Sequence, residues 1–246
     1  MGSSGARHRH FHVFRRQPAY IAACFLSLFQ VMLLSPDGNI GRIFRIHSMK
    51  TYRDHYFLKA RQQNYPARSV YKLKEIDAKF KLFRPGMKVL DLGAAPGSWS
   101  LAAAERVGPS GCVLACDIQT TETSFPANVR FLAADVFALP EEFEAALAKL
   151  APFDVVMSDM APGTTGTRFR DQARSYELCC EALRIAVRCL KPGASFVVKI
   201  FMGPDLEDFL AAMRGHFASV KGFKPQSSRA ESKETFYVGL GFHGAP

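Results

Sequence analysis

The 246-residue sequence has no CxxC pair and no cysteine–histidine spacing of the kind that holds zinc. Its six cysteines (Cys24, Cys112, Cys116, Cys179, Cys180 and Cys189) therefore read as small apolar residues in a reducing compartment. Four of the seven histidines (His8, His10, His12 and His47) fall in the N-terminal region, and no metal site is expected there or elsewhere. Internal repeats and low-complexity tracts are absent, which excludes solenoid and array architectures. No heptad pattern and no extra apolar segment is found, so a monomer is the expectation. Acid is also scarce: 22 Asp and Glu face 32 Lys and Arg, giving a net charge of +10 and a pI near 9.5. That excess points to a polyanionic partner, either nucleic acid or an anionic membrane surface.

What is present is ordinary for a globular protein, with 48% hydrophobic and 22% charged residues. The length suits one sizeable α/β domain plus an appendage. The appendage is the first 48 residues, which carry six arginines, no lysine and one acid, Asp37. Their apolar run, Ala19–Ser35, is short for a membrane span. A secretory signal lacks its small-residue cleavage site, and an organelle transit peptide would be less hydrophobic. The preferred reading starts at Met49 and treats residues 1–48 as an upstream extension, which makes the protein cytoplasmic; a genuine targeting segment would make it organellar. No stable membrane association is expected for residues 49–246.

Charge is unevenly spread. Residues 50–88 hold eleven Lys or Arg against Asp54, Glu75 and Asp77, and a second basic cluster contains Lys221, Lys224, Arg229 and Lys233. Two basic segments around a more acidic middle suggest a phosphate-binding rim. Tyr52, Tyr56, Tyr65 and Tyr71 lie in the first segment, either to stack on bases or to pack a helix against a sheet.

Periodicity predicts helices over 68–80, 98–106, 141–150, 171–190 and 206–217, with strands over 88–92, 112–116, 129–133, 154–158, 195–200, 220–223 and 236–240. Alternating strands and short connections imply a doubly wound, mostly parallel sheet. In such a sheet ligands bind beyond the carboxyl ends of the strands, where the loop Gly93–Gly97 and the acids Asp117, Asp135 and Asp159 stand. A carboxylate after the second strand can accept from ribose hydroxyls, and one after the third from an exocyclic amine. A dinucleotide pyrophosphate calls for Gly-x-Gly-x-x-Gly. This loop is instead Gly-Ala-Ala-Pro-Gly-Ser-Trp, with Pro96 removing a donor and Trp99 adding bulk. It suits an adenosine with an amino-acid tail, as in S-adenosylmethionine. For Trp99, the only tryptophan, a plain core role remains open.

The stretch Leu90-Asp91-Leu92-Gly93-Ala94-Ala95-Pro96-Gly97-Ser98-Trp99-Ser100 resembles the cofactor loop of the FtsJ/RrmJ ribosomal RNA 2′-O-methyltransferases. Arg68–Ile76, Ser158–Pro162, Phe196–Lys199, Ser227–Arg229 and Ser232–Glu234 also match in order, so the resemblance runs from about Thr51 to Gly241. It implies a Rossmann-like, S-adenosylmethionine-dependent methyltransferase fold with a mostly parallel seven-stranded sheet and helices on both faces. Residues 49–246 then form the methyltransferase domain, with a basic RNA-binding helical region at its start. The resemblance further implies a catalytic tetrad at Lys72, Asp159, Lys199 and Glu234, and cofactor positions at Gly93, Gly97, Trp99, Asp117, Asp135 and Asp159. Two positions depart from the pattern: Ser98 stands where many members have Gly, and Gly163 where Asn is usual.

The implied reaction is methylation of a ribose 2′-hydroxyl, with a uridine of large-subunit (23S-type) ribosomal RNA as target. A sulfonium leaving group is already activated by its charge and needs no metal. The barrier lies in deprotonating a weakly acidic hydroxyl, for which Lys199 is the expected group. Lys72 nearby would favour the neutral amine by like-charge repulsion, while Asp159 and Glu234 oppose it and orient amine and sugar. Two rivals are carried: an NAD(P)-dependent oxidoreductase, and a non-catalytic RNA-binding ribosome-assembly factor on the same scaffold.

Overall fold

The computed structural model describes residues 55–229 and 232–244. The leader 1–48, Tyr52 and the N-terminal histidines, for which the sequence raised expectations, lie outside the described residues. Two short helices, α1 (His55–Gln62) and α2 (Val70–Phe80), precede strand β1 (Lys88–Leu92). Then follow α3 (Ser98–Val107), β2 (Cys112–Asp117), β3 (Val129–Ala133), α4 (Glu141–Leu150), β4 (Phe153–Ser158) and α5 (Arg168–Cys189). The chain ends with β5 (Leu190–Phe201), α6 (Leu206–Arg214), β6 (Phe217–Phe223) and β7 (Glu234–Phe242). All seven strands form one sheet in the order β3-β2-β1-β4-β5-β7-β6. Pairings from β3 to β5 are parallel, and β7 runs antiparallel to both β5 and β6.

Each face of the sheet has its own apolar layer, because strand side chains alternate with period two. Leu90, Leu92, Val156, Phe196, Val198 and Ile200 bury with residues of α4, α5 and α6. Val89, Met157, Val197, Phe236 and Val238 bury on the other face with residues of α1, α2 and α3. The same parity sends Asp91, Lys199 and Glu234 to the α2/α3 face. The pairing Lys199↔Phe236 and Phe201↔Glu234 makes Lys199 and Glu234 diagonal neighbours across β5 and β7. One face of the sheet thus brings two charged residues under α2.

Periodicity does not predict helix α1, β7 is longer at both ends than expected, and the departures around α5, β5 and the α6–β6 junction have identifiable causes. Helix α5 starts at Arg168, ahead of the anticipated Asp171. The Asp171 carboxylate turns back to accept from Thr165 N and Oγ, at 2.9 and 2.8 Å, so it ties down the preceding loop from inside the first turn. Those bonds hold Asp171 below the usual carboxylate range. Strand β5 starts at Leu190 instead of Ser195, because Leu190 pairs with Phe153 before the register shifts to Val155↔Ser195; residues 191–193 make the exposed excursion between them. Helix α6 stops at Arg214, where Gly215 N closes on the Ala211 carbonyl, and Phe217 enters β6 opposite Phe242.

Candidate active site

The loop after β1 is shaped by its small residues. Gly93 N and Ala94 N both donate to the Cys116 carbonyl, at 2.8 and 3.0 Å, which draws the loop over the end of β2. Gly93 has φ +80°, and a Cβ there would lie 3.0 Å from the Met160 backbone. Gly97, at φ +110°, begins α3 and closes a turn by donating to the Ala94 carbonyl at 2.6 Å.

Beyond this loop opens a cavity of about 510 Å³, within the usual size for a small-molecule site. Gly93, Asp117, Asp135, Asp159 and Lys199 line it together, so four of the six expected cofactor positions meet there. Asp117 accepts from Ala95 N at 2.9 Å and from Gln119 N at 2.8 Å, and Asp135 accepts from Phe137 N at 3.0 Å. Each carboxylate is thereby fixed by backbone while keeping lone pairs for a ligand. Ile118 (72% exposed) and Phe137 (57%) also line the cavity. Apolar side chains between strand-end carboxylates suit a flat heterocycle joined to a hydroxylated sugar. Neither residue was singled out in the sequence, although each directly follows or nearly follows a strand-end acid.

Gly97 and Trp99 stand elsewhere. Trp99 is 2% exposed, stacks on Phe236 (centroids 5.7 Å apart) and donates its indole N–H to the Ser69 carbonyl at 2.9 Å. It is absent from the cavity wall. Ser98, the departure from the family pattern, sits beside it with a hydroxyl that accepts from Ala67 N at 2.7 Å and donates to the Ala67 carbonyl at 3.2 Å. Ser98 and Trp99 together fasten the start of α3 to the turn that leads into α2.

The four expected tetrad residues form two ion pairs. Lys199, 7% exposed, lies 2.9 Å from Asp159 Oδ1 and donates its hydrogen bond to the Asp159 carbonyl oxygen. Asp159 Oδ1 is thus held by charge, with no hydrogen bond of its own. Lys72 pairs with Glu234 Oε1, which also accepts from Ser228 Oγ at 3.1 Å. Burial would raise the Glu234 carboxyl, but the Lys72 ammonium, the Lys199 charge and the Ser228 hydroxyl outweigh it and hold it below the usual glutamate range. Lys199 and Asp159 face the large cavity, whereas Lys72 and Glu234 line a neighbouring one of about 280 Å³ with Arg68, Ser69, Arg229 and Ser232. One pair thus lines the cofactor-sized cavity and the other a cationic one, and the two are linked by charge, because Lys199 acts on Glu234. Beneath them, Asp91 is fully buried and its Oδ2 accepts from Ser100 Oγ at 2.6 Å, while Oδ1 has no hydrogen-bond partner. Among the described residues no group of His, Cys, Asp and Glu is placed to hold a metal ion, and no helix is long and apolar enough to cross a membrane.

Two tyrosines of the first basic segment pack rather than protrude. Tyr65 and Tyr71 are buried and donate to Glu105 and Gln63, at 2.6 and 3.0 Å. Lys74 Nζ lies 4.3 Å from the Tyr65 ring and Lys59 Nζ 5.1 Å from the Tyr71 ring.

With this geometry in place, comparison with known proteins is decisive. The family profile of the FtsJ-like methyltransferases matches residues 65–242. The chain belongs to that family. Ribosomal RNA large subunit methyltransferase E of Nitratidesulfovibrio vulgaris (strain Miyazaki F) is 72% identical over 196 residues, covering 80% of this chain and 98% of that protein. The protein of the same name from Lawsonia intracellularis is 59% identical over 194 residues, covering 79% of this chain and 97% of its own length. Among solved structures, a ribosomal RNA methyltransferase from Plasmodium falciparum shares the fold, with a TM-score of 0.65 at 24% identity, over 73% of this chain and 100% of that one. The FtsJ-like fold expected from the sequence, a seven-stranded, mostly parallel sheet, is the fold observed.

Proposed function

We propose that this FtsJ-like methyltransferase transfers the methyl group of S-adenosylmethionine to a ribose 2′-hydroxyl in large-subunit ribosomal RNA, with a uridine as the target. The observation that carries the reading is the pairing of Lys199 with Asp159 and of Lys72 with Glu234, with Lys199 and Glu234 diagonal neighbours across β5 and β7. The cavity of about 510 Å³ offers Asp117 and Asp135 as acceptors for the ribose and amine of an adenosine. Bound there, the cofactor supplies an electrophilic methyl on a positively charged sulfur.

The chain's own residues do the rest. With the cofactor bound, attack by the ribose oxygen would form the new C–O bond as the C–S bond breaks and its electron pair leaves with sulfur. The hydroxyl proton would go to the Lys199 amine, which must first have released its own proton from the Asp159 ion pair to solvent. Asp159 fixes that amine through its carboxylate and its carbonyl. Lys72, held by Glu234, places a cation beside the attacking oxygen and favours its developing negative charge. Arg68 and Arg229 in the second cavity offer phosphate partners, and the basic residues of the described stretches 55–88 and 221–229 add cationic groups for RNA phosphates. Within this reading residues 49–246 are the methyltransferase domain of a monomer that meets its ribosomal substrate in the cytoplasm.

The test is transfer of label from S-adenosylmethionine to unmethylated large ribosomal subunits, with nucleotide digestion to locate it. Wild type should yield 2′-O-methyluridine, and Lys199→Met should lose roughly 10²- to 10⁴-fold in kcat with cofactor binding retained. Label on a base would overturn the 2′-O assignment, undiminished transfer by Lys199→Met the role of Lys199, and cofactor binding without transfer would favour an assembly factor.

A further inference from the structure

The connection between β6 and β7 carries Ser228 and Arg229 to the reaction centre, and α2 grips it from outside that centre. Glu75 follows Lys72 by three residues on α2, so both project from one face of the helix. Its Oε2 accepts from Gln226 N at 2.6 Å and its Oε1 from Ser227 N at 2.9 Å. One half-buried carboxylate thus takes two successive backbone N–H groups of the segment. The Arg68 guanidinium donates to the Ser227 carbonyl, so the same residue is held on both sides. The next residue, Ser228, donates to Glu234 Oε1, the oxygen that also pairs with Lys72. The contacts therefore close a loop: Glu75 to the 226–227 backbone, Ser228 to Glu234, Glu234 to Lys72, and back along α2.

We infer that Glu75 is a positioning residue of the reaction centre, which through the Gln226–Ser227 backbone fixes Ser228 against Glu234 and sets Arg229 on the wall of the substrate-side cavity. This rests on the reading of Lys72 and Glu234 as part of the methyl-transfer centre. The physical case is that a charged acceptor of two N–H groups is among the stronger anchors a loop can have. Arg68, just ahead of α2, holds the same backbone through the Ser227 carbonyl. Without Glu75 the two N–H groups turn to water, and Ser228 is free to leave Glu234. Glu234 would then face Lys72 from α2 and Lys199 from β5 with one hydrogen bond fewer.

The experiment compares the full-length wild type, Glu75→Ala, Glu75→Gln and Ser228→Ala in three measurements: kcat and KM on large ribosomal subunits against pH, cofactor affinity, and amide hydrogen exchange over residues 224–229 without RNA. In Glu75→Ala the Gln226 and Ser227 amides should exchange about tenfold faster or more. kcat/KM for the RNA substrate should fall roughly tenfold or more, with cofactor affinity unchanged. The low-pH inflection at which Glu234 takes up a proton should move upward, because Glu234 loses the Ser228 bond, and Ser228→Ala should move it in the same sense. Glu75→Gln keeps one acceptor and should be intermediate. Faster exchange with wild-type kinetics and pH profile would overturn the inference while leaving the methyltransfer reading intact. Unchanged exchange would overturn it as well. Absence of 2′-O-methyl product from the wild type would instead overturn the underlying reading, and with it any role of Glu75 in that reaction.

Discussion

Asp91 offers the sharpest energetic test of this architecture. Burial, with Asp159 and Asp117 adding repulsion and the Ser100 hydrogen bond opposing, pushes its carboxyl from 3.8 up to about 7. The native state therefore keeps a proton that the unfolded chain has released. Stability from this proton is fully present below about pH 4, declines as pH rises toward 7, and is gone above it. The gap of about three pH units, at about 1.4 kcal/mol each, amounts to about 4 kcal/mol over the whole window.

Between pH 5 and pH 8 the accessible part is about 3 kcal/mol, a shift of roughly 1–3 M in the urea midpoint. Asp91→Asn keeps the shape and the acceptor for Ser100 but cannot ionise. Its stability relative to wild type, measured by urea unfolding without ligand, should improve by about 3 kcal/mol from pH 5 to pH 8. Comparing the variant with wild type at each pH cancels the other titrating groups. Ser100→Ala removes the bond that favours the carboxylate, so the wild-type decline should extend to higher pH. A stability difference independent of pH would refute the reasoning.

Two further outcomes follow from the site. Gly93→Ala forces φ +80° on a residue with a side chain and sets a Cβ against Met160, so affinity for S-adenosylhomocysteine should weaken by roughly tenfold or more in titration calorimetry. Trp99→Phe keeps the stack on Phe236 but removes one of the two donors to the Ser69 carbonyl, which still accepts from Lys72 N at 3.0 Å, costing about 0.5–1.5 kcal/mol in denaturant unfolding while the same affinity stays unchanged; weakened affinity at constant stability would return Trp99 to the cofactor.

Most of the sheet was legible because its strands obey a simple rule: short apolar runs ended by Asp or Gly. Strands Lys88–Leu92 and Val129–Ala133 fall where periodicity puts them, as does helix Glu141–Leu150. Errors gather where tertiary partners override local signals. Pro192-Gly193 does not stop the helix as expected: the helix ends at Cys189, where the sheet recruits Leu190 through Phe153, and the two residues fall within β5. Phe217 continues the apolar pattern of α6 but finds Phe242 across β6 and β7.

The site was legible to the extent that its residues sit on strand ends. Asp117, Asp135, Asp159 and Lys199 inherit their convergence from the parallel sheet, so topology alone assembles them. For Trp99 the sequence left a core place and a cofactor place both open, because the choice depends on which way α3 faces: its indole meets Ser69, thirty residues earlier in the chain. Glu75 was invisible for a stronger reason. In an amphipathic helix rich in lysine, a glutamate reads as a solvated charge, and its partners lie 151 and 152 residues away. Lys72 and Glu75 share a helical face, so the same turn of α2 that presents a cation to the centre also presents the carboxylate that anchors the opposite wall. A displacement of α2 would therefore move the Lys72–Glu234 pair and the Arg229 wall together. The cavity of about 280 Å³ and the ion pair beside it are coupled through one helix, and substrate affinity and turnover should change in concert when that helix is perturbed.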